Sequence, residues 1–315
     1  MTNVSVDGLK YHIVEKGSGQ SLLLLHGFTG SSENWRDLIA FLGNRFRIIA
    51  VDLPGHGLTD SPEDISRYRI DSVAHDVVRI LQHLDASPAH WLGYSMGGRL
   101  ALYSAIHYPE SVRTLTLASA TAGIENQSER DARRRQDNSL ADFIEREGIA
   151  AFVDYWQRLP LFDSQGSLAE NVRESLREQR MQNSTQGLAN SLRGMGTGEQ
   201  PSVWDTLAQL KAATCLIAGQ LDEKFVAINK RMANAIPNCE LSIIPGAGHA
   251  VQLEQPSTFA GVVSNFLEER SGVSGENLPN SEQGHKNEGS KGHLLEPRVE
   301  RRQLNNPVDS QSITQ

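Results

Sequence analysis

The chain has 315 residues, 38% of them hydrophobic, and a formal net charge of −8. That length suits one large core with room for an inserted subdomain, and the acidic balance argues against nucleic acid as a general partner, because phosphate binding needs a basic surface. The N-terminus has neither a basic n-region nor an apolar h-region, and no stretch approaches the roughly 18 apolar residues of a membrane span, so a cytoplasmic protein without membrane insertion is expected.

Taken in order, the residues alternate between two periodicities. Segments 4–6 and 9–15 alternate apolar and polar residues around Asp7-Gly8 and predict an antiparallel pair of strands. The wholly apolar run 21–25 predicts a strand buried on both faces of a parallel sheet; it ends in the loop His26-Gly27-Phe28-Thr29-Gly30, and a helix is expected over about 34–42. Strand 47–51 closes on Asp52-Leu53-Pro54-Gly55-His56-Gly57. A helix over 70–84 follows, with Val73, Val77, Ile80 and Leu84 on one face. Next come strand 89–93, a helix to about 107 and strand 112–118. Helices alone are expected over 130–147, 149–158, 167–181 and 185–195. Strand 214–218, helix 227–235, strand 240–244 and helix 256–269 complete the series.

Repeated strand, helix, strand order predicts a mostly parallel, doubly wound α/β sheet with right-handed crossovers. The helical stretch interrupting it after the sixth strand predicts a cap over a site. The expected organisation is therefore a core over 1–122 and 205–270, a helical cap over 123–204, and a tail, 271–315. The tail has no aromatic residue and too little apolar surface to offset its ordering entropy, so disorder is expected there. Cys215 and Cys239 lie within apolar segments and are expected to be small buried hydrophobes in a reducing compartment, not a disulfide.

The segment Trp91-Leu92-Gly93-Tyr94-Ser95-Met96-Gly97-Gly98-Arg99 reads as a strand end, a sharp turn and a helix start. Gly-x-Ser-x-Gly is the nucleophile-elbow pattern, with glycines where neighbouring backbones approach closely. A triad on such a sheet needs an acid and then a histidine, each past the carboxyl end of a strand. Asp222 follows strand 214–218 and His249 follows strand 240–244, so Ser95, Asp222 and His249 are the candidate catalytic residues. Of ten histidines, His26 and His56 sit in glycine-rich loops and are expected to make structural hydrogen bonds. The backbone N–H groups of Met96 and Phe28 are the candidate oxyanion donors.

Through His26-Gly27-Phe28, the Asp52 to Gly57 loop, the elbow, Asp222 and Gly248-His249, about 270 residues of the chain resemble the α/β-hydrolase superfamily. A narrower resemblance is carried by Tyr94-Ser95-Met96-Gly97-Gly98-Arg99, Arg130-Asp131-Ala132-Arg133, Phe152-Val153-Asp154-Tyr155-Trp156, Pro160-Leu161-Phe162 and Leu192-Arg193-Gly194-Met195-Gly196-Thr197-Gly198. It is to the 2-succinyl-6-hydroxy-2,4-cyclohexadiene-1-carboxylate synthase family of menaquinone synthesis, which eliminates pyruvate. Arg99 lies four positions after Ser95, on the same helix face. A guanidinium there is costly to bury unless an anion visits, and it matches carboxylates two bonds at a time.

The resemblance implies a small polycarboxylate substrate bound by Arg99, Arg133 and Arg180, with Tyr94 and Trp156 as walls. It also implies a lyase reaction needing no metal or organic cofactor. The triad by itself is equally suited to an ester or carbon–carbon bond hydrolase acting on a carboxylate-bearing substrate, and the fold to a ligand-binding module. Ser95 serves as base in the first reading and as nucleophile, or activator of water, in the second.

Overall fold

The computed structural model describes residues 2–271; most of the expected tail, 272–315, lies outside the described residues. Strands β1 (Thr2–Val6) and β2 (Leu9–Lys16) form the antiparallel start, and β3 (Ser21–Leu25), β4 (Arg47–Val51), β5 (Ala89–Tyr94), β6 (Val112–Ala118), β7 (Ala213–Gly219) and β8 (Cys239–Ile244) complete one sheet. Its order is β1-β2-β4-β3-β5-β6-β7-β8, parallel from β4 onward. Chain winding reverses between β3 and β5, and open α/β sheets bind ligands at such a switch point. Leu22, Leu23, Leu24 and Leu25 are all fully buried, as the uninterrupted apolar run of β3 requires when both faces are covered.

Helices cover both faces. Apolar side chains of α2 (Ile70–His83) and α3 (Met96–His107), with Met232 and Ile236 at the end of α7 (Glu223–Ala235), share one core cluster with the sheet. The other face packs against α1 (Arg36–Leu42) and α9 (Pro256–Ser271), which follows the short α8 (Val251–Glu254). Between β6 and β7 stand α4 (Gln127–Trp156), α5 (Glu170–Met181) and α6 (Thr185–Met195); the inner faces of α4 and α6 form a separate cluster from Ala141, Ile144, Phe152, Val153, Leu188, Ala189 and Leu192, with Met181 of α5 packed against it. Gly148 breaks α4 at φ 80°, ψ 173°, the left-handed region that a glycine enters without penalty, so the two helices expected over 130–147 and 149–158 join at a kink.

Several boundaries differ from expectation, each for a local reason. The helix expected from 34 begins as a 3₁₀ turn, Ser32–Trp35, capped by Ser31. The helix expected from 130 begins at Gln127, because the Asn126 side chain accepts from the Ser128 and Glu129 N–H groups. The helix expected from 167 begins at Glu170, since Pro160–Ser167 form a 3₁₀ segment. The helix expected from 227 starts at Glu223, capped by Asp222. Helix α9 runs to Ser271, so that residue belongs to the fold and not to the tail. Cys239, expected buried, is half-exposed at the start of β8, whereas Cys215 is buried, and both are free thiols.

The loop after β3 rests on a layer of histidines. His26 donates from Nδ1 to the Gly27 carbonyl and accepts the Leu53 N–H at Nε2, 2.9 Å away, while His56 hydrogen-bonds the Pro54 carbonyl. Both are buried, and the His56 ring packs edge-on against Phe28. Burial, reinforced by His26, pushes the His56 pKa from 6.5 down to about 3. The unfolded chain thus binds a proton below pH 6.5 that the folded chain refuses, so this contribution to stability falls as pH drops from 6.5 towards 3. Urea unfolding across that range should show stability rising with pH, with a shallower rise in His56→Gln; an identical slope in the variant would contradict the account.

Candidate active site

The elbow is built by backbone touching backbone. A Cβ at Gly93 would overlap the Gly97 carbonyl, and one at Gly97 would overlap the carbonyls of Leu25 and His26. With nothing between them, α3 closes directly onto β3 and β5, and the turn is forced tight. Ser95 stands at φ 50°, ψ −108°, a region that non-glycine residues occupy under strain at functional sites. Its N–H donates to the Ala118 carbonyl at 2.8 Å, which ties the strained residue to the neighbouring strand end.

Three strand ends deliver the triad. The Ser95 hydroxyl is 3.1 Å from Nε2 of His249, and His249 Nδ1 lies 2.7 Å from Asp222 Oδ2. An ionised carboxylate only accepts, so Nδ1 carries the proton and Nε2 is left to receive the serine's. His249 is fixed from its backbone as well: Ser119 Oγ donates to its carbonyl at 2.8 Å, and the Glu254 carboxylate accepts from the Gly248 N–H at 2.6 Å and the Ala250 N–H at 3.1 Å. The rings of Phe225 and Tyr94 lie 4.6 Å and 5.5 Å from the imidazole. Sequence reasoning missed Ser119, Glu254 and Phe225, whose residue types carry no motif.

Above the serine lies a cavity of about 530 Å³, walled by Phe28, Tyr94 and Met96 below and by Trp156, Phe162 and Leu192 from the cap. Ser95, His249, Arg99 and Arg133 all line it. The Met96 N–H belongs to the first turn of α3, which has no intrahelical acceptor for it, and the Phe28 N–H belongs to the loop that α3 touches. Trp156 meets the Phe28 ring edge-on at 5.2 Å.

The three predicted arginines do not share one wall. Arg99 is 7% exposed and donates to Gln200 Oε1 at 3.1 Å. Burial, with Arg133 nearby, lowers its pKa to about 10, so it remains a cation at neutral pH. Arg133 is half-exposed and bonded to Asp137 at 2.7 Å, and Asp137 also accepts the Gly198 N–H. Arg180, also 7% exposed, lines an adjoining pocket of about 30 Å³ that shares Phe28, Tyr94 and Phe162 with the larger cavity. Its guanidinium sits 5.5 Å from the Phe162 ring and donates to Gln165.

At the cavity mouth, Arg231 grips Glu125 with both terminal guanidinium nitrogens and lies 3.9 Å over the Trp204 ring. Lys224 lines the same mouth. The positive side chains around the cavity therefore outnumber those that the sequence singled out. A site of this kind can move a proton to and from Ser95 while holding a polyanion above it.

Comparison with known proteins places the chain in a family. The family model of the alpha/beta hydrolase fold matches residues 20–256. A Bacillus subtilis (strain 168) protein named as a 2-succinyl-6-hydroxy-2,4-cyclohexadiene-1-carboxylate synthase is 44% identical over 268 residues, covering 84% of this chain and 97% of its own. The synthase of that name from Serratia proteamaculans (strain 568) is 31% identical, covering 78% of this chain and 92% of its own. The structure of MenH from S. aureus superposes with a TM-score of 0.79 at 36% identity, over 82% of this chain and 98% of that one. The chain belongs to the α/β-hydrolase-fold family and, within it, to the 2-succinyl-6-hydroxy-2,4-cyclohexadiene-1-carboxylate synthases.

Proposed function

We propose that Ser95, backed by His249 and Asp222, is the base of a lyase that eliminates pyruvate from 2-succinyl-5-enolpyruvyl-6-hydroxy-3-cyclohexene-1-carboxylate. The product is 2-succinyl-6-hydroxy-2,4-cyclohexadiene-1-carboxylate. One observation carries the assignment to this cavity: a buried guanidinium, Arg99, stands beside the triad with no carboxylate bonded to it among the described residues. Such a charge is stabilised when a substrate supplies the missing anion.

The bond changes follow from the two ring names. His249 takes the Ser95 proton as Ser95 removes the hydrogen at C2, beside the succinyl ketone. The Phe28 and Met96 N–H groups hold the charge that develops on the ketone oxygen. Electrons then form C2=C3, shift C3=C4 to C4=C5 and break the C5–O bond. The expelled enolpyruvate takes up a proton, supplied by the His249 imidazolium, and becomes pyruvate.

Arg99 and Arg133 bind substrate carboxylates from the cavity wall. Arg180 adds positive potential from behind Tyr94 and Phe162, and Tyr94 and Trp156 shape the ring slot. Residues 123–204 act as the cap on a core made of 1–122 and 205–270. The free Cys215 and Cys239 accord with a reducing compartment such as the cytoplasm. Among the described residues no helix is long and apolar enough to cross a membrane.

Purified protein given the enolpyruvyl substrate should release pyruvate, and Ser95→Ala should lower kcat by about 10²–10⁴-fold, the range of a positioned general base. Rapid ester cleavage with no pyruvate would instead identify a hydrolase. Arg99→Ala should lower kcat/KM at least about tenfold, mainly through KM, the scale of one charge-assisted pair; an unchanged kcat/KM would remove Arg99 from the site.

A further inference from the structure

Among the described residues, carboxylate partners go to arginines that are at least partly exposed and not to the buried ones. Arg47, Arg67, Arg133, Arg193 and Arg231, all at least partly exposed, each bond a carboxylate. Among the described residues, Arg99 and Arg180 are the two buried arginines, and each is bonded to a glutamine instead. Electrostatics would favour the opposite arrangement, because a buried charge needs its counter-ion more than an exposed one does.

The glutamines are as buried as the arginines they hold. Gln200 is 1% exposed and Gln165 is 7% exposed. A guanidinium only donates, so each amide must turn its oxygen to the arginine and its NH₂ away. The contacts are 3.1 Å from Arg99 to Gln200 Oε1 and 3.3 Å from Arg180 to Gln165 Oε1. Both outward-turned nitrogens, Gln200 Nε2 and Gln165 Nε2, find no acceptor among the described residues, and a buried unmet donor destabilises a fold. A glutamate at either position would meet the arginine with an ion pair and leave no N–H orphaned. Asp137, the acid whose charge bears on Arg99, is engaged by Arg133 and the Gly198 N–H.

We infer that Gln200 and Gln165 are positioning residues whose neutrality is their function: each orients a buried guanidinium without discharging it, so that its charge is kept for a carboxylate of the substrate. This rests on the reading of Arg99 and Arg180 as the residues that attract those carboxylates. Gln200 acts on the cavity directly through Arg99, and Gln165 acts on the adjoining pocket through Arg180.

The near-isosteric variant Gln200→Glu separates this role from a merely structural one, because the two quantities it changes move in opposite directions. Supplying the missing counter-ion should raise Tm by about 2 °C or more. It should also raise KM at least about tenfold, with a much smaller change in kcat. Gln200→Leu, which removes the acceptor altogether, should lower both Tm and kcat/KM.

A Gln200→Glu protein that binds substrate as the parent does, or that loses Tm and kcat/KM together, would overturn the proposal. If Arg99→Ala keeps its kcat/KM, the underlying reading of Arg99 fails instead, whatever Gln200→Glu does. Succinate as a dicarboxylate probe gives a readout independent of turnover. It should raise the Tm of the parent protein in a concentration-dependent way and do so much less in Gln200→Glu; equal shifts in the two proteins would count against the proposal. Should Gln200→Glu fail to fold, the same pair of Tm and KM measurements on Gln165→Glu decides, with the same directions expected and the same outcomes overturning it.

Discussion

The site depends on backbone packed directly on backbone. Gly93 against Gly97, Gly97 against the Leu25 and His26 carbonyls, and Gly219 against the carbonyls of Ala247 and Gly248 are contacts in which a single added methyl would have to displace main chain. The first two draw α3 onto β3 and β5 and hold Ser95 in its strained turn. The third brings the loop carrying His249 onto the end of β7, beside Asp222. Interiors packed this densely do not deform smoothly, so a hydrogen bond of 3.1 Å between residues 154 positions apart can be held without any covalent tie.

Onto that rigid floor the cap adds charge and shape. Its own apolar cluster involves few of the floor's side chains, but Phe28 packs against both the sheet core and the cap cluster. Through Phe28, the loop proposed to hold an oxyanion touches His56 on one side and Trp156 on the other. A displacement of the cap would reach the floor through the Phe28 ring and through Phe162, whose ring meets the His249 imidazole edge-on at 6.3 Å. The electrostatic division is similar: α3 contributes Arg99 from the floor, while α4 and α5 contribute Arg133 and Arg180 from above.

Most of this was legible in the residues because its causes are local or periodic. The apolar runs 21–25 and 214–218, the glycines of the elbow, and the order of Ser95, Asp222 and His249 each express a constraint acting over a few positions. The short 3₁₀ segments, such as Ile65–Tyr68 and Trp204–Gln209, were illegible because a single turn leaves no periodic signature. Gln200, Gln165 and Glu254 were illegible for another reason. Gln200 meets a partner 101 positions away, and a glutamine in a polar loop looks the same whether it faces water or a buried guanidinium. The separation of Arg180 from the main cavity was hidden too, since helical spacing places a residue on a face but says nothing of the aromatic wall in front of it.

The same triad serves hydrolysis and elimination, and the proposed roles locate the difference between them. In an acyl transfer Ser95 Oγ must approach a carbonyl carbon; in the elimination it must approach the hydrogen on the adjacent carbon. Both reactions send negative charge to the carbonyl oxygen, so the same pair of N–H groups stabilises both. The two carbons concerned are one carbon–carbon bond apart, roughly 1.5 Å. A misplacement of about 1 Å can change a rate about 10²-fold, so the choice between the reactions falls to whatever fixes the substrate along that line. Ser95, His249 and the oxyanion donors cannot make that choice, because their geometry suits either. Charged anchors that grip carboxylates remote from the reacting bond can, provided that they are themselves immobile. Arg99, buried and held by Gln200 beside Ser95, meets that requirement better than a solvated arginine would.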